Sequence, residues 1–273
     1  MNVRSILFVG SLGFMALQTA AAQQLPSQYP LLVIGASYSE AKTPFANGVA
    51  PLGGIAVGLG SYLSLGNALV RDNRLPGHVI NEAQAGATTF DRPFCAPGAA
   101  TCGPAGWDSY QTQLERAISR VAIPPSFTAL NAKYVLIGKP NDCLHADAFG
   151  IPQSASQPCT TADMNASIDR LIAVGQYAIA RGLTPIYDVA PKYNRLDLPL
   201  FKTMFGLEWV VSEDDYNEYR TLHKQRIQDE LPGALMLDMW KDFVHGGDGI
   251  HPNDASNRAA AKIIAKKLLN LDQ

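Results

Sequence analysis

After its first 22 residues, the 273-residue chain has no run of about 20 apolar residues, which is what a membrane-spanning helix needs. It also has no cluster of basic residues, and its formal net charge of −2 argues against a nucleic-acid partner. Internal repeats, Ser/Gly-rich linkers and long runs of charge are absent too. These absences predict one domain without a transmembrane anchor. The hydrophobic content of 47% is enough for one substantial core.

Residues 1–22 have the pattern of a secretory signal peptide. Arg4 precedes an apolar run from Ile6 to about Leu17, and three alanines at 20–22 provide small residues for cleavage before Gln23. We therefore expect residues 23–273 to form the single mature domain. The mature protein is expected to be secreted or periplasmic.

Cysteine is scarce, with 4 residues in the chain. In an oxidising compartment, four cysteines can form two disulfide bonds in three connectivities. The pairs Cys95–Cys102 and Cys143–Cys159 are favoured, because each closes a short loop. Four reduced and buried thiols are the alternative.

A candidate nucleophile follows the first predicted strand. The apolar run Leu31–Ile34 contains β-branched residues and leads directly into Gly35 and a polar corner, which is typical of a buried strand that ends in a turn. Ser37 therefore lies just past the C-terminal end of a strand, where open α/β sheets place their ligands. A serine needs a positioned base to act as a nucleophile.

A candidate base stands near the C-terminus, in the segment Asp248-Gly-Ile-His251-Pro. This spacing puts a carboxylate and an imidazole on one short turn, so Asp248 can fix the tautomer of His251. Ser37, His251 and Asp248 would then form a catalytic triad. An alternative is a metal site of the form His-x-x-Asp-x-x-His that begins at His245, but no further ligand stands at a suitable spacing.

These two segments, together with two blocks between them, resemble the GDSL-type SGNH hydrolases. The second block is Val79-Ile-Asn-Glu-Ala-Gln-Ala-Gly86, and the third is Val135-Leu-Ile-Gly-Lys-Pro-Asn141-Asp142. The resemblance implies an oxyanion hole formed by the backbone N–H groups of Ser37 and Gly86 and the side chain of Asn141. The four blocks span nearly all of the mature chain in the family's order.

The sequence departs from the family pattern at two positions. The family usually has Gly-Asp-Ser where this chain has Ala36 before Ser37. It also usually has Gly-x-Asn-Asp in the third block, whereas Lys139-Pro140 puts one extra residue between Gly138 and Asn141.

Five predicted strands alternate with helices along the chain, which indicates a parallel sheet with helices on both faces, a three-layer α/β/α sandwich. The predicted strands begin near Leu31, His78, Tyr134, Thr184 and Leu235. The family resemblance implies the flavodoxin-like order 2-1-3-4-5. In that order, the turns that carry Gly86, Ser37 and Asn141 follow neighbouring strands and meet at one edge of the sheet. A further helix is predicted to open at Trp107.

The resemblance implies a serine esterase that needs no cofactor or metal and acts on a small-molecule, lipid or glycan ester, and the signal-peptide pattern predicts that it is exported. A carbohydrate O-acetyl esterase or acetyltransferase acting on envelope polysaccharide remains open. So does a non-catalytic binding protein that has kept the fold. The segment Leu196–Val211 is rich in large apolar residues, which is consistent with a lid, an acyl-chain wall or plain packing. The sequence does not define the oligomeric state.

Overall fold

A five-stranded parallel sheet forms the centre of the molecule. The computed structural model describes residues 29–40, 65–72, 74–75, 79–94, 103–121, 132–144, 159–205 and 211–272. The strands of the main sheet are β1 (Leu31–Ile34), β2 (Val79–Asn81), β5 (Tyr134–Ile137), β6 (Thr184–Asp188) and β7 (Leu235–Leu237). Their order across the sheet is β2-β1-β5-β6-β7, so the three strands whose following turns carry the sequence motifs are neighbours.

The expected strand order differs from the observed one only in its numbering. Two short strands that the sequence did not predict, β3 (Arg92–Phe94) and β4 (Gly103–Trp107), form a separate antiparallel pair. The prediction of a helix opening at Trp107 was wrong, because this residue ends β4 and the helix begins at Tyr110. Ser109 marks that boundary, where its hydroxyl accepts a hydrogen bond from the backbone N–H of Thr112 at 3.2 Å.

Helices cover both faces of the main sheet. They are α1 (Leu65–Val70), α2 (Tyr110–Val121), α3 (Thr161–Ala180), α4 (Leu198–Phe205), α5 (Glu213–Glu230) and α6 (Asp254–Leu271). Successive residues of a strand point to opposite faces. Accordingly, Leu32 and Ile34 pack with α2, α3 and α5, whereas Leu31 and Val33 pack with α1 and α6. Because both faces are covered, every residue of β1 is fully buried, which explains its unbroken apolar sequence.

The starts of three helices follow from their capping residues. Thr160, Ser212 and Asn253 each accept a hydrogen bond from the backbone N–H three residues later, at the N-termini of α3, α5 and α6. At α3, Asp163 also accepts a hydrogen bond from the Thr160 backbone N–H, which completes a capping box. The cap at Asn253 fixes where α6 begins, two residues after His251. Among the described residues, no helix is long and apolar enough to cross a membrane.

His223 on α5 is buried in the core, with its ring 6.0 Å from that of Tyr187 and 6.5 Å from that of Tyr219, centroid to centroid. Its Nε2 atom has no hydrogen-bond partner, and burial lowers the pKa of His223 to about 4. The same side chain in an unfolded chain has a pKa of about 6.5. Between these values the unfolded state binds more protons than the folded state, so the free energy of unfolding falls as the pH is lowered from about 6.5 to about 4.

We therefore expect His223→Phe, which removes this titration, to reduce the loss of stability on acidification. The difference is at most on the order of 3 kcal/mol between pH 7 and pH 4. Urea unfolding of both proteins at the two pH values measures it, because carboxylates common to both proteins cancel in the comparison. Identical losses in the two proteins would contradict the assignment.

Candidate active site

Ser37 lies on a single helical turn directly after β1. Gly35 begins this turn with a φ of 141°, and its N–H donates a hydrogen bond to the side-chain oxygen of Gln113 at 2.8 Å. The backbone N–H groups of Ser39 and Glu40 then donate to the carbonyl oxygen of Ala36, at 3.0 and 3.1 Å. Ser37 is half-buried, while its neighbours on both sides are buried. The turn therefore presents the Ser37 side chain at the C-terminal edge of the sheet.

Asp248 and His251 contact each other within one turn that precedes α6. The Nδ1 atom of His251 lies 2.6 Å from Oδ2 of Asp248. The other carboxylate oxygen, Oδ1, accepts hydrogen bonds from the backbone N–H groups of Ile250 at 3.0 Å and His251 at 2.8 Å. Because all these interactions use one carboxylate, the orientation of the imidazole is tied to the backbone of its own turn.

Asp248 is 2% exposed, and its environment keeps it ionised. Burial alone would raise the pKa of its carboxyl group, but the hydrogen bonds and charge of His251 and the hydrogen bond from Ile250 outweigh burial and lower it below its usual value. Since Nδ1 of His251 is engaged by Asp248, proton transfer at this imidazole falls to Nε2.

Backbone hydrogen bonds join the two ends of the segment that contains this pair. Val244 and Asn253 are joined by a backbone hydrogen bond of 2.8 Å, and the N–H of Gly246 donates to the carbonyl of His251 at 2.8 Å. Gly249 has a φ of 90°, and a Cβ atom there would collide with the carbonyl oxygen of Asp197. Only glycine fits this close approach, so the sequence between Asp248 and His251 is restricted by packing as well as by chemistry.

The turn that carries Ser37 and the turn that carries His251 are in direct contact through Tyr38. The hydroxyl of Tyr38 donates a hydrogen bond to the carbonyl oxygen of Ile250. The rings of Tyr38 and His251 lie 5.8 Å apart, centroid to centroid. Tyr38 directly follows Ser37, and Ile250 directly precedes His251. The structure therefore brings together the turn that carries Ser37 and the turn that carries His251, which are more than 200 positions apart in sequence.

Gly86 and Asn141 lie on the turns after the two strands that flank β1. Gly86 has a φ of 84° in a turn that is anchored to the residue directly after β1, because the N–H of Gln84 donates to the carbonyl of Gly35 at 3.0 Å. Asn141 is 3% exposed, and its Nδ2 atom has no hydrogen-bond partner. An amide donor that is buried without a protein acceptor is costly, so it is a natural place for a ligand oxygen to bind.

The carboxylate of Asp142 joins the turn that carries Gly86 to the turn that carries Asn141. It accepts hydrogen bonds from the backbone N–H of Thr89 at 2.8 Å, from the hydroxyl of Thr89 and from the hydroxyl of Ser167 at 2.6 Å. Arg170 lies 3.3 Å from the same group. Because Asp142 directly follows Asn141, this network fixes the distance between the two turns.

A disulfide bond joins Cys143 to Cys159 in the same region, with 5.2 Å between the two Cα atoms. It links the Asn141 turn to the N-terminus of α3, and a loop of this length contributes about 3 kcal/mol in the loop-entropy estimate. Cys143 has a φ of 69°, the left-handed region that a non-glycine residue seldom adopts. The other expected pair, Cys95 and Cys102, lies outside the described residues, as do residues 1–22.

The metal-binding alternative finds no support in the geometry around His245. Within the described part of the chain, which includes His245, Asp248 and His251, no three His, Cys, Asp or Glu side chains lie close enough together to hold a metal ion. The Nδ1 atom of His245 accepts a hydrogen bond from the backbone N–H of Gly247 at 3.3 Å.

The apolar segment Leu196–Val211 is described only up to residue 205 and at residue 211. Its first part packs directly on the Asp248–His251 turn, where the N–H of Asp197 donates to the carbonyl of Gly249 at 2.8 Å. Phe201 and Val211 are buried. This part of the segment supports the acid–base turn, and the residues between 206 and 210 lie outside the described structure.

Four residues near the site were missed by sequence reasoning as contributors to it. Tyr38 and Lys139 stand within the sequence motifs without a role of their own there, and Asp188 and Trp240 lie outside the motifs. A signal was present for Asp188, because a charged residue at the C-terminal end of a buried parallel strand is a recurrent mark of a functional edge. No sequence signal pointed to Trp240, whose indole N–H donates to Asp188 at 2.9 Å.

By sequence, the chain matches no family model and no curated protein. By structure, it is similar to a catalytic variant of an acetylxylan esterase from Geobacillus stearothermophilus, with 14% identity, a TM-score of 0.50 and coverage of 90% of this chain and 96% of that one. It is also similar to a GDSL-like lipase from Bacteroides thetaiotaomicron, at 8% identity and a TM-score of 0.49, covering 92% and 94% of the two chains. A psychrotrophic esterase from Pseudoalteromonas gives 13% identity, a TM-score of 0.48 and coverage of 88% and 98%. The chain therefore shares the fold of the acetylxylan esterase.

Proposed function

We propose that this chain is an exported serine hydrolase that cleaves carboxylic esters through Ser37, His251 and Asp248. The observation that carries the proposal is the contact between the two turns: Tyr38, next to Ser37, donates its hydroxyl to Ile250, next to His251. The 2.6 Å contact between His251 and Asp248 supplies the orientation that a general base needs.

In the proposed reaction, Nε2 of His251 takes the proton of the Ser37 hydroxyl while the oxygen attacks the ester carbonyl carbon. Asp248 holds the imidazole in the required tautomer and stabilises the imidazolium. The tetrahedral intermediate collapses with cleavage of the ester C–O bond, and the leaving alcohol takes the proton from His251. Water then attacks the acyl-enzyme with the same base, which releases the acid and restores Ser37.

The negative charge that develops on the carbonyl oxygen is proposed to be stabilised by three donors. They are the backbone N–H groups of Ser37 and Gly86 and the side-chain amide of Asn141. The buried and unpartnered Nδ2 atom of Asn141 supports this role, since it has a hydrogen bond to give and no protein group to receive it. The extra residue at Lys139-Pro140 is compatible with the role, because the Asp142 network ties the Asn141 turn to the Gly86 turn.

Asn141→Ala should lower kcat by about 10²- to 10³-fold, which is the usual cost of removing one oxyanion donor. Steady-state hydrolysis of a chromogenic acetyl ester measures the loss. Asn217→Ala is the matched control, because Asn217 is exposed on α5 and far along the chain from the site. A neutral Asn141→Ala in a protein whose Ser37→Ala variant is inactive would show that the asparagine lies outside the oxyanion hole.

Export is the second part of the proposal. The signal-peptide pattern of residues 1–22 motivates it, and the disulfide between Cys143 and Cys159 supports it, because structural disulfides form and persist mainly in oxidising compartments. N-terminal sequencing of the protein recovered from outside the cytoplasm tests it. A mature chain that begins near Gln23 is the expected result, and a cytoplasmic protein that keeps Met1 would contradict it.

The ester class is tested with the protein from Gln23 onward on chromogenic esters from acetyl to long acyl chains, and on an acetylated xylan. Turnover that disappears in Ser37→Ala supports the proposal, and the chain length of the best substrate defines the acyl specificity. Acetate release from the xylan without turnover of the simple esters would identify a carbohydrate O-acetyl esterase. A folded protein with neither activity would contradict hydrolysis and favour a binding protein.

A further inference from the structure

Lys139, which follows Gly138 in the irregular third motif, is buried beside the turn that carries Ser37. It is 5% exposed, and its Nζ atom lies 4.1 Å from the centroid of the Tyr38 ring. Its backbone is fixed on both sides: the carbonyl of Lys139 accepts a hydrogen bond from the Tyr110 hydroxyl at 2.9 Å, and the N–H of Gly138 donates to Ile34 at 3.0 Å. The ammonium group is therefore held against the aromatic face by a rigid backbone.

A buried carboxylate stands on the neighbouring strand. Asp188 ends β6, which pairs with β5 so that Ile137 lies opposite Tyr187, and Asp188 is fully buried. Burial lowers the pKa of Lys139 to about 8, and the charge of Asp188 opposes that change. Burial also raises the pKa of Asp188 to about 6, against the hydrogen bond from Trp240 and the charge of Lys139. The charge on each group therefore favours the charged form of the other.

Both groups are linked to the ring of Tyr38, Lys139 directly and Asp188 through Trp240. Lys139 contacts the Tyr38 ring directly, and Asp188 accepts the indole N–H of Trp240, whose ring lies edge-on to Tyr38 at 5.5 Å. Tyr38 in turn contacts Ile250 and His251. A continuous set of contacts therefore runs from the buried charges to the turns that hold the nucleophile and the base.

We propose that Lys139 is a positioning residue: its ammonium group holds the Tyr38 ring, and through it keeps Ser37 and His251 in register for proton transfer. This inference rests on the proposed function. It gives the residue at which the chain departs from the Gly-x-Asn-Asp pattern a task of its own. A cation over an aromatic face is bound more tightly when both groups are shielded from water, as they are here.

Packing alone does not explain a lysine at this position. Two neutral side chains of similar size, methionine at position 139 and asparagine at position 188, would fill the space without the desolvation cost of two buried charges. The charge is retained where it faces the ring next to the nucleophile. Buried ionisable groups with shifted pKa values concentrate at functional sites, which agrees with this placement.

The test is Lys139→Met, assayed at pH 7 with the best chromogenic ester. We expect kcat to fall by about 10- to 30-fold, the factor that a shielded cation–π contact corresponds to, with KM changed less than about two-fold. Lys133→Met is the matched control. The Nζ atom of Lys133 lies 4.4 Å from the centroid of the Tyr29 ring, and Lys133 directly precedes β5, at the end of the strand opposite to Lys139. The kcat of this control should equal that of the unsubstituted protein. Urea unfolding of each variant shows whether it is folded.

The double variant Lys139→Met/Asp188→Asn separates positioning from the cost of leaving one buried charge alone. If the ammonium group positions Tyr38, the double variant is folded and stays slow. A full return of kcat in the double variant would overturn the inference, since the loss would then come from the unpaired Asp188 carboxylate. An unchanged kcat in Lys139→Met would also overturn it and would leave the esterase proposal intact. A protein without Ser37-dependent turnover would overturn both.

Discussion

Replacing Ser37 by alanine should lower the turnover of a chromogenic ester by about 10⁶-fold, to the level left by the oxyanion hole and substrate binding alone. The physical reason is that no other group on the turn can replace the attacking oxygen. The hydroxyl of Tyr38 is engaged by the carbonyl of Ile250, and Ser39, the nearest other serine, is fully buried and closely approached by Gly138.

Ser39→Ala is therefore the matched control for this prediction. It removes a hydroxyl from the same helical turn and leaves intact the backbone hydrogen bond from Ser39 to Ala36. We expect its activity to stay close to that of the unsubstituted protein. Equal losses in the two variants would mean that the turn is sensitive to packing and that Ser37 has no special chemical role.

Asp248→Asn should lower kcat by about 10⁴-fold although it changes the shape of the side chain very little. One carboxylate oxygen accepts two backbone N–H groups, from Ile250 and His251, and the other faces Nδ1 of His251. An amide has one oxygen and one NH₂ group. With its oxygen on the backbone donors, its NH₂ faces Nδ1, which must then lose its proton. The proton of the neutral ring moves to Nε2, where the base is needed.

The measurement for this second prediction is kcat against pH for the unsubstituted protein, Asp248→Asn and the control Asp242→Asn. Asp242 is exposed, six residues before Asp248, and its replacement should leave kcat unchanged. The pKa of Asp248 lies below its usual value in the folded protein. At a pH above the usual pKa, the ionised carboxylate therefore adds to the free energy of unfolding. This contribution is lost as the pH falls through the lowered pKa. An Asp248→Asn variant with nearly full activity at pH 7 would contradict the proposed orientation of the imidazole.

The main sheet was predictable from the sequence because strands that are buried on both faces have unbroken apolar sequences. Leu31–Ile34 and Tyr134–Ile137 are apolar throughout, and both strands are buried along their whole length. The capping residues Thr160, Ser212 and Asn253 likewise gave the starts of three helices. These features are local, so a window of a few residues contains the information that determines them.

The antiparallel pair β3 and β4 was missed because its sequence lacks such a mark. β4 is Gly-Pro-Ala-Gly-Trp, and neither glycine nor proline favours a strand. Trp107 looked like the start of a helix, but its indole N–H donates to the carbonyl of Ala85 at 2.7 Å and holds the residue beside the Gly86 turn. A contact of this kind depends on the tertiary arrangement, which sequence periodicity does not describe.

The residues of the candidate site likewise fall into those that a local sequence pattern indicates and those that only tertiary contacts reveal. The sequence pointed to Ser37, Asp248 and His251 through short patterns with a chemical reason, and to Gly86 and Asn141 through the family resemblance. The groups that hold these residues in place are set by contacts between distant segments: Tyr38 with Ile250, Asp142 with Thr89 and Ser167, and Gly249 with Asp197. None of these pairs forms a local pattern, so only the folded structure brings them to notice.

The most direct test of Ser37 as the nucleophile is to treat the protein with a fluorophosphonate and locate the adduct by peptide mass spectrometry. This reagent forms a stable bond with an activated serine and needs no knowledge of the natural ester. We predict one adduct, on the peptide that contains Ser37, absent in Ser37→Ala and much slower to form in Asp248→Asn. No adduct on the folded protein, or an adduct on another serine that persists in Ser37→Ala, would contradict it.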